Sequence, residues 1–379
     1  ADKLSSPHVD SLIGLVRSFT EKRDFDNAMS NLASAEQYTI EKIGKESAVY
    51  ATCLHNRART MLMFNRDKNE VEECYKEAVR LRAKFLGKFH PDYGASIYNL
   101  GSFYGQKGDI SSAEPLILEA KEIFEKAYGK QHPLYAQSLN NLGIIYFETQ
   151  RFEKAELCYL ESKELKEKLH ATNNIDYCGT LVNLGKLYYN MAYFEKAEPI
   201  LLEAKNIFET ILKNTNHPFY FNCLTALSLV YNQAGQFEKG DLIILENLSL
   251  IEKSSGNNNE KYAGEVNNMG VLYDNMGNFD RAEKYYQKAL EIKEKLSGKE
   301  NINYVSSLSN LGILYGKTRD YQKSEKYLLE SIKILESIGL TESPTYSVAL
   351  NNLGLVYRGK NQFEEATQQY SKSLELDEK

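Results

Sequence analysis

The sequence of 379 residues has no tryptophan, only seven prolines and no long apolar run. Its longest apolar stretches, such as LIIL at 242–245, are far shorter than the roughly 20 residues that a membrane-spanning helix needs. The chain does not open with a basic segment followed by an apolar one, so no secretory signal is predicted. These absences argue against a membrane-spanning or membrane-bound protein.

Cysteine is also sparse, and there is no excess of basic charge. The five cysteines are scattered, with no CxxC pair: Cys53, Cys74, Cys158, Cys178 and Cys223. This pattern predicts packed, reduced thiols in a cytoplasmic protein rather than disulfides or a zinc site. The net charge is −6 and the pI is about 5.7, so the basic stripe that nucleic-acid phosphates require is not expected.

A repeat with a period of 42 residues runs through the chain. Glycines stand 42 residues apart at Gly101, Gly143 and Gly185, and again at Gly270, Gly312 and Gly354. Ser228 fills the gap one residue late. Twelve residues after each of these seven positions stands a small residue: Ala113, Ala155, Ala197, Gly240, Ala282, Ser324 and Ala366. Two degenerate units anchored at Val16 and Ala58 precede them, giving nine units, and such a period predicts a solenoid.

Each unit is predicted to contain two helices. Around Gly143, the apolar residues Leu139, Leu142 and Tyr146 form a helical stripe. The small glycine and Ala155 are expected to let the two helices approach, with Tyr146 filling the space above them. The predicted repeats form one domain over residues 1–379 and span about 5–43, 47–86, 90–128, 132–170, 174–213, 217–255, 259–297, 301–339 and 343–379.

This spacing of Leu, Gly, Tyr and a later small residue resembles the tetratricopeptide repeat (TPR). GKFHPDYGASIYNLGSFYGQKGDISSAEPLILEAKEIF at 87–124 resembles the 42-residue variety found in kinesin light chains. The resemblance covers nearly the whole chain and implies an all-α, right-handed superhelical solenoid of about nine helix-turn-helix repeats. Because no sustained heptad segment is present, the motor-adaptor role of kinesin light chains is not predicted.

Residues with catalytic or metal-binding patterns are not found. The sequence has no GxxxxGK[ST], GxSxG or HExxH motif. His90, His132 and His217 recur in the same inter-repeat loop, and we interpret them as helix-start residues. GSFYGQKG at 101–108 is rich in glycine but crosses the end of a helix, so we interpret it as a detail of the repeat. We therefore predict no enzymatic activity, no cofactor and no metal.

A second face of each first helix is the candidate binding surface. Seven of the nine units have asparagine two residues before the anchor position, although asparagine is a poor residue for a helix interior. In arrays that this chain resembles, this face lines the concave groove. The predicted groove residues are Asn99, Asn141, Ile144, Asn183, Lys186, Asn268, Val271, Asn310, Ile313 and Asn352. The amides either bind the backbone of a peptide or form hydrogen bonds between repeats.

The favoured function is a scaffold that binds a peptide or protein segment in the concave groove. The alternative is that the array is the N-terminal sensing arm of a larger enzyme, such as a caspase-like (CHAT) protease or a kinase. In a third alternative, the groove holds its own chain or a second copy of it. Because the ninth unit is followed by no capping helix, we expect the sequence to be a fragment of a longer chain.

The sixth unit departs most from the pattern. Ser228 replaces the glycine, Gly240 replaces the alanine and Ala226 replaces the asparagine. A long polar loop, SSGNNNEKY at 254–262, is predicted to follow. This unit is therefore expected to be a weak joint in the array.

Overall fold

The structure is a computed structural model that describes residues 3–211, 213 and 215–377. Within these residues it contains eighteen α-helices and one π-helical segment, Ile207–Ile211, and no strand. The helices are α1 Pro7–Glu21, α2 Phe25–Lys42, α3 Ala48–Met63, α4 Lys68–Phe85, α5 Pro91–Gln106, α6 Ile110–Tyr128, α7 Pro133–Glu148, α8 Phe152–Lys168, α9 Ile175–Asn190, α10 Phe194–Asn206, α11 Pro218–Gln233, α12 Phe237–Ser255, α13 Glu260–Asn275, α14 Phe279–Ser297, α15 Ile302–Lys317, α16 Tyr321–Ser337, α17 Pro344–Gly359 and α18 Phe363–Asp377.

Odd-numbered helices are the first helices of the repeats and even-numbered helices are the second. The helix order confirms the prediction of an all-α solenoid with nine repeats. The chain divides into two compact units, residues 1–187 and 188–379, and each is described by itself. Within either unit, helices that follow one another along the chain pack together.

Short-range signals fix where the first helices start. Proline occupies the first turn of α5, α7 and α11, where a missing N–H costs no intrahelical hydrogen bond. The residue before each proline is histidine, and its Nδ1 accepts a hydrogen bond from a backbone N–H two residues on. The distances are 3.1 Å for His90, 3.2 Å for His132 and 3.2 Å for His217. Their predicted role as helix-start residues is confirmed.

The anchor glycines allow close packing within each hairpin. A Cβ atom at Gly143 would lie 2.4 Å from Cε1 of Tyr159, and one at Gly270 would lie 2.5 Å from Cδ1 of Tyr286. Both tyrosines are buried and stand 16 residues after their glycine. The side chain that covers Gly143 is therefore Tyr159 on the second helix, and not Tyr146 as the sequence suggested.

The tyrosines three residues after the anchors form part of the core, as predicted. Tyr273 and Tyr315 are buried, and their hydroxyl groups reach the second helix of the preceding repeat. Tyr273 donates to Asp241 at 3.3 Å, and Tyr315 donates to Glu283 at 2.7 Å. Tyrosine suits this position because its ring packs in the apolar core while its hydroxyl group forms a hydrogen bond at the polar edge. This helps to explain the 27 tyrosines of the sequence.

The loop after the degenerate sixth repeat is shorter than the sequence suggested. Most of SSGNNNEKY is helical, because α12 continues to Ser255 and α13 begins at Glu260. The predicted long loop is wrong, and its real length is four residues, 256–259. Gly240 is buried, and a Cβ atom there would lie 3.2 Å from Cδ1 of Leu272. Small size at this position therefore serves packing between repeats.

We expect Gly143→Ala to lower the free energy of unfolding by about 1–3 kcal/mol, the usual cost of overpacking a core. Tyr159 is buried and cannot move away freely. Gly14→Ala is the control, since a Cβ atom there meets nothing within 4 Å, and it should stabilise α1 by up to about 1 kcal/mol. Urea unfolding measures both changes. Equal effects of the two substitutions would contradict the proposed close contact.

We also expect backbone amides in residues 228–262 to exchange with solvent earlier than those in residues 133–170. The reason is that Gly240 costs about 1 kcal/mol relative to alanine inside a helix. In a repeat array, stability is mainly local. Hydrogen exchange followed by mass spectrometry tests this prediction, and uniform protection of the two segments would refute it.

Candidate functional site

The ten residues of the predicted groove all lie on first helices. They are carried by α5, α7, α9, α13, α15 and α17. Their asparagine side chains are half-buried, whereas Ile144 is 38% exposed and Lys186 is exposed. Leu355, at the position in α17 that Ile144 occupies in α7, is also exposed. Amides and open apolar side chains thus share one face of these helices.

Most of these amides form hydrogen bonds with the preceding first helix. Asn141 Nδ2 donates to Tyr98 Oη at 3.0 Å and to Ser102 Oγ at 2.7 Å. Asn183 and Asn310 donate to asparagines 43 residues earlier, Asn140 at 3.4 Å and Asn267 at 3.1 Å. Asn99 Nδ2 likewise donates to His55 Nε2 at 3.0 Å. The inter-repeat alternative therefore accounts for the donor side of these amides, and we call this set of bonds the amide ladder.

A second row of bonds runs parallel to the amide ladder in residues 188–379. Asn275 Nδ2 donates to Asn232 Oδ1 at 3.1 Å, and Lys317 Nζ lies 2.8 Å from Asp274 Oδ2. The sequence separation is again 43 residues in both pairs. In these pairs, a residue on one first helix thus neighbours a residue on the preceding first helix that stands 43 positions earlier, which is one repeat of 42 plus one.

The asparagines that donate in the amide ladder do not use their own carbonyl oxygens among the described residues. In the described part of the chain, the carbonyl oxygens of Asn141, Asn183 and Asn310 accept no hydrogen bond. Asn352 on α17 forms no hydrogen bond with any described residue. Asn268 differs, because its amide lies against the Glu265 carboxylate. These oxygens can each accept two hydrogen bonds.

Two cavities open beside the ladder, in equivalent places of two repeats. One, of about 180 Å³, lies between α5 and α7 and is lined by Gly101, Gly105, Asn141 and Ile144 among others. The other, of about 400 Å³, lies between α15 and α17 and is lined by Gly312, Gly316, Ile313, Asn352 and Leu355 among others. Predicted groove residues therefore line both cavities.

The cavities exist because two glycines stand four residues apart on one helix. Residues at i and i+4 share a helix face, so the pairs Gly101/Gly105 and Gly312/Gly316 leave that face without side chains. The second position holds larger residues in other repeats, such as Phe147 and Arg358. The sequence signal was present in GSFYG and GILYG, but we interpreted the first as a repeat detail.

The remaining reactive side chains are built into the core. Burial raises the pKa of the Cys53 thiol to about 12 and that of Cys74 to about 11, so neither is a ready nucleophile. Among the described residues, no group of three or more His, Cys, Asp or Glu side chains could hold a metal ion. None of the described helices is long and apolar enough to cross a membrane.

The amide ladder can be tested by its energetic coupling. We expect Asn310→Ala and Asn267→Ala to be coupled in a double-mutant cycle by about 0.5–1.5 kcal/mol, the usual contribution of a hydrogen bond. Asn352→Ala is the matched control because Asn352 has no partner to lose, and it should raise stability by a few tenths of a kcal/mol. Urea unfolding of the variants checks both values. A coupling of zero would remove Asn310 from the ladder.

Known structures share this fold at low sequence identity. A Rap protein complexed with competence and sporulation factor has a TM-score of 0.69 and 12% identity, over 98% of each chain. A signal transduction ATPase with numerous domains and a tetratricopeptide repeat sensor, from Pyrococcus horikoshii, has a TM-score of 0.59 and 18% identity, over 93% of this chain and 52% of that one. BtubC (BKLC) from P. vanneervenii has a TM-score of 0.50 and 22% identity, over 60% of this chain and 91% of that one.

Sequence comparison gives the family directly. No curated protein matches the chain. The family model described as tetratricopeptide repeat matches residues 95–168, 262–337 and 317–379, and a second model of the same description matches residues 178–219. These matches include the six anchor glycines from Gly101 to Gly354 and the small residues twelve positions after them, but not the corresponding positions of the sixth repeat. The chain belongs to the tetratricopeptide repeat family.

Proposed function

We propose that this chain is a protein-interaction scaffold that binds a peptide or protein segment along the groove face of its first helices. One observation supports the proposal above all others. The donating asparagines of the amide ladder use their N–H groups inside the fold, and the carbonyl oxygens of Asn141, Asn183 and Asn310 accept no hydrogen bond from a described residue. A row of unused acceptors beside exposed apolar side chains matches the chemistry of a polypeptide.

The ladder fixes the geometry of this recognition. The backbone N–H groups of a peptide need acceptors, and the Asn carbonyl oxygens are held in place by the bonds that their own N–H groups make. Such contacts do not depend on the peptide's sequence. Ile144, Val271, Ile313 and Leu355 add apolar area beside the amides, and Lys186 replaces them in α9.

The cavities supply selectivity. A side chain of the bound segment enters the cleft above Gly101 and Gly105, or the one above Gly312 and Gly316. Since apolar and small residues dominate these walls, each cleft favours an apolar side chain. The Rap protein of similar fold, complexed with competence and sporulation factor, supports binding of another molecule by such an array.

The alternative function, a sensing arm of a larger enzyme, uses the same surface. It is favoured by the Pyrococcus horikoshii protein, in which a tetratricopeptide repeat sensor belongs to an ATPase. The similarity spans 52% of that protein's chain. Under this alternative the bound segment acts as a signal. The coding sequence that follows Lys379 decides between an isolated scaffold and a sensing arm.

Selection from a random-peptide display library, followed by fluorescence titration of the enriched peptides, tests groove binding. We expect Gly105→Leu to weaken peptides that use the cavity between α5 and α7 by about tenfold or more, because the new side chain fills that cavity. The substitution should fit the fold, since a Cβ atom at Gly105 meets only Ala113 Cβ at 3.9 Å.

Glu122→Leu is the control. It adds a similar apolar side chain at an exposed position of α6, outside the groove, and should leave the affinity unchanged. Peptides that bind equally well to the wild type and to Gly105→Leu, Gly316→Leu and Asn141→Ala variants would place the interaction surface elsewhere on the molecule.

A further inference from the structure

Three repeats place a buried cation at the same point near the end of the second helix. Arg82, Lys166 and Lys293 are almost fully buried, and other repeats have apolar residues there, such as Phe124 and Leu335. Each cation donates to a hydroxyl group on the next first helix. The partners are Ser96 at 2.9 Å, Thr180 at 2.8 Å and Ser307 at 2.9 Å. The arrangement is therefore one structural device used three times.

Two of these cations have an aspartate ten residues later in the chain, and the third does not. Lys166 Nζ lies 2.8 Å from Asp176 Oδ2, and Asp92 occupies the same position relative to Arg82. The corresponding residue after Lys293 is Asn303. The only hydrogen-bond partners of Lys293 in the described part of the chain are the hydroxyls of Ser306, at 3.0 Å, and Ser307. Burial lowers the pKa of Lys293, and the Glu260 carboxylate, which forms no ion pair with it among the described residues, opposes this shift only in part.

The reverse situation occurs one repeat earlier. Glu265 occupies in α13 the position that holds the hydroxyl residue in α5, α9 and α15, and the residue at the cation position before it is the apolar Ile251. Thr225 donates to one oxygen of Glu265. The other oxygen, Oε2, is buried without a hydrogen-bond partner in the described residues, and the side chain is only 5% exposed. Burial raises the pKa of this carboxyl group.

These two unpaired charges line a single cavity. It has a volume of about 360 Å³ and lies among α11, α13, α14 and α15. Its polar walls are Glu265, Lys293, Lys261 and Ser306, together with the amides of Asn222, Asn267 and Asn268. Neither Glu265 nor Lys293 forms an ion pair with the other or with any described residue. A buried group left unpaired in this way is costly, so one ligand that pairs both would gain strongly.

We propose that this cavity binds a small zwitterionic group, with its cationic nitrogen on Glu265 and its carboxylate on Lys293. An ammonium or guanidinium group supplies the N–H donors that Oε2 of Glu265 lacks. The carboxylate takes the place that Asp176 occupies beside Lys166, completing the ion pair missing at Lys293. Lys261, whose Nζ lies 5.2 Å from the ring centroid of Phe221, adds a second positive charge near the carboxylate.

The same chemistry is found in a free amino acid and at the C-terminal residue of a peptide. The cavity shares Asn267 and Asn268 with the groove face, but the two charged residues on which the inference rests belong to neither the predicted groove nor the amide ladder. Binding of a free amino acid would make the cavity a metabolite site. Binding of a peptide end alone would anchor a segment at this point of the array.

Isothermal titration of the full chain with four probes distinguishes the contributions of the ligand's cation and carboxylate. It also distinguishes a free amino acid from the end of a peptide as the ligand. L-Arginine carries both groups, agmatine lacks the carboxylate, and N-acetyl-L-citrulline keeps the carboxylate but lacks a cation. The tripeptide Gly-Gly-Arg represents a peptide end. We expect L-arginine or Gly-Gly-Arg to bind about tenfold or more tightly than agmatine and N-acetyl-L-citrulline, since each charged contact is worth at least that factor.

Substitutions then assign each charge. Glu265→Gln and Lys293→Met should each weaken the zwitterion by about tenfold or more, while Lys293→Met should not weaken agmatine further. Lys166→Met is the matched control: it removes a buried cation of the same device whose acid partner is present, and it should leave binding unchanged. Because the probes also act on the wild-type protein, a variant that fails to fold does not prevent the test.

Two outcomes would overturn the proposal. One is that neither L-arginine nor Gly-Gly-Arg binds the wild-type chain. The other is that Glu265→Gln binds the zwitterion as tightly as the wild type does, as expected if Glu265 is a neutral acid that donates its proton to Asn247, a neighbour whose buried Oδ1 likewise has no partner among the described residues. Preference for free arginine over the tripeptide, or the reverse, identifies the source of the ligand and supports the proposal in either case.

Discussion

The contact between first helices of successive repeats, in which a residue neighbours the one 43 positions earlier, underlies most of what this structure does. It brings each ladder asparagine to the polar residue that precedes the asparagine of the previous repeat, as in Asn310 and Asn267. The same contact orders Lys317 against Asp274. Since the period is 42 and the contact is 43, a side chain never faces its own equivalent. Two adjacent hydrogen-bonding residues are therefore needed in a repeat, one to donate backward and one to accept from the next repeat, and NN at 140–141 and 267–268 supplies them.

This contact also decides which atoms remain for a ligand. An asparagine whose N–H group donates to the preceding repeat directs its carbonyl oxygen away from that repeat. For Asn141 and Asn310, this oxygen accepts no hydrogen bond from a described residue. The structural and the binding interpretations of the asparagines are thus compatible, because they use different atoms of one side chain. Where two glycines stand four residues apart, the helix face between the same helices lacks side chains, and a cavity lies there.

The sequence predicted the repeat, the helices and the histidine caps, since all of these depend on residues close together in the chain. It could not predict that Tyr159 covers Gly143, because the partner of a glycine is set by how two helices cross. It also missed Glu265 and Lys293. Each looks like an ordinary charge on a polar helix, and only the comparison with Asp176 and Asn303 reveals that its partner is missing. The cavity lined by Glu265 and Lys293 arises from such exceptions to the repeat. A consensus sequence of the repeat does not show these exceptions.

The register between neighbouring repeats also limits how such a chain can change in length. Two single-residue insertions are visible: one lengthens the turn between α3 and α4 to four residues, 64–67, and the other falls between Gly185 and Ser228. The second interval contains the π-helical segment Ile207–Ile211, whose wider turn encloses one more residue than an α-turn. Both extra residues lie outside the first helices. Adding a whole repeat preserves every pairing between neighbouring first helices. Adding a single residue preserves these pairings only when the residue lies outside the first helices, so such insertions are expected in turns and second helices.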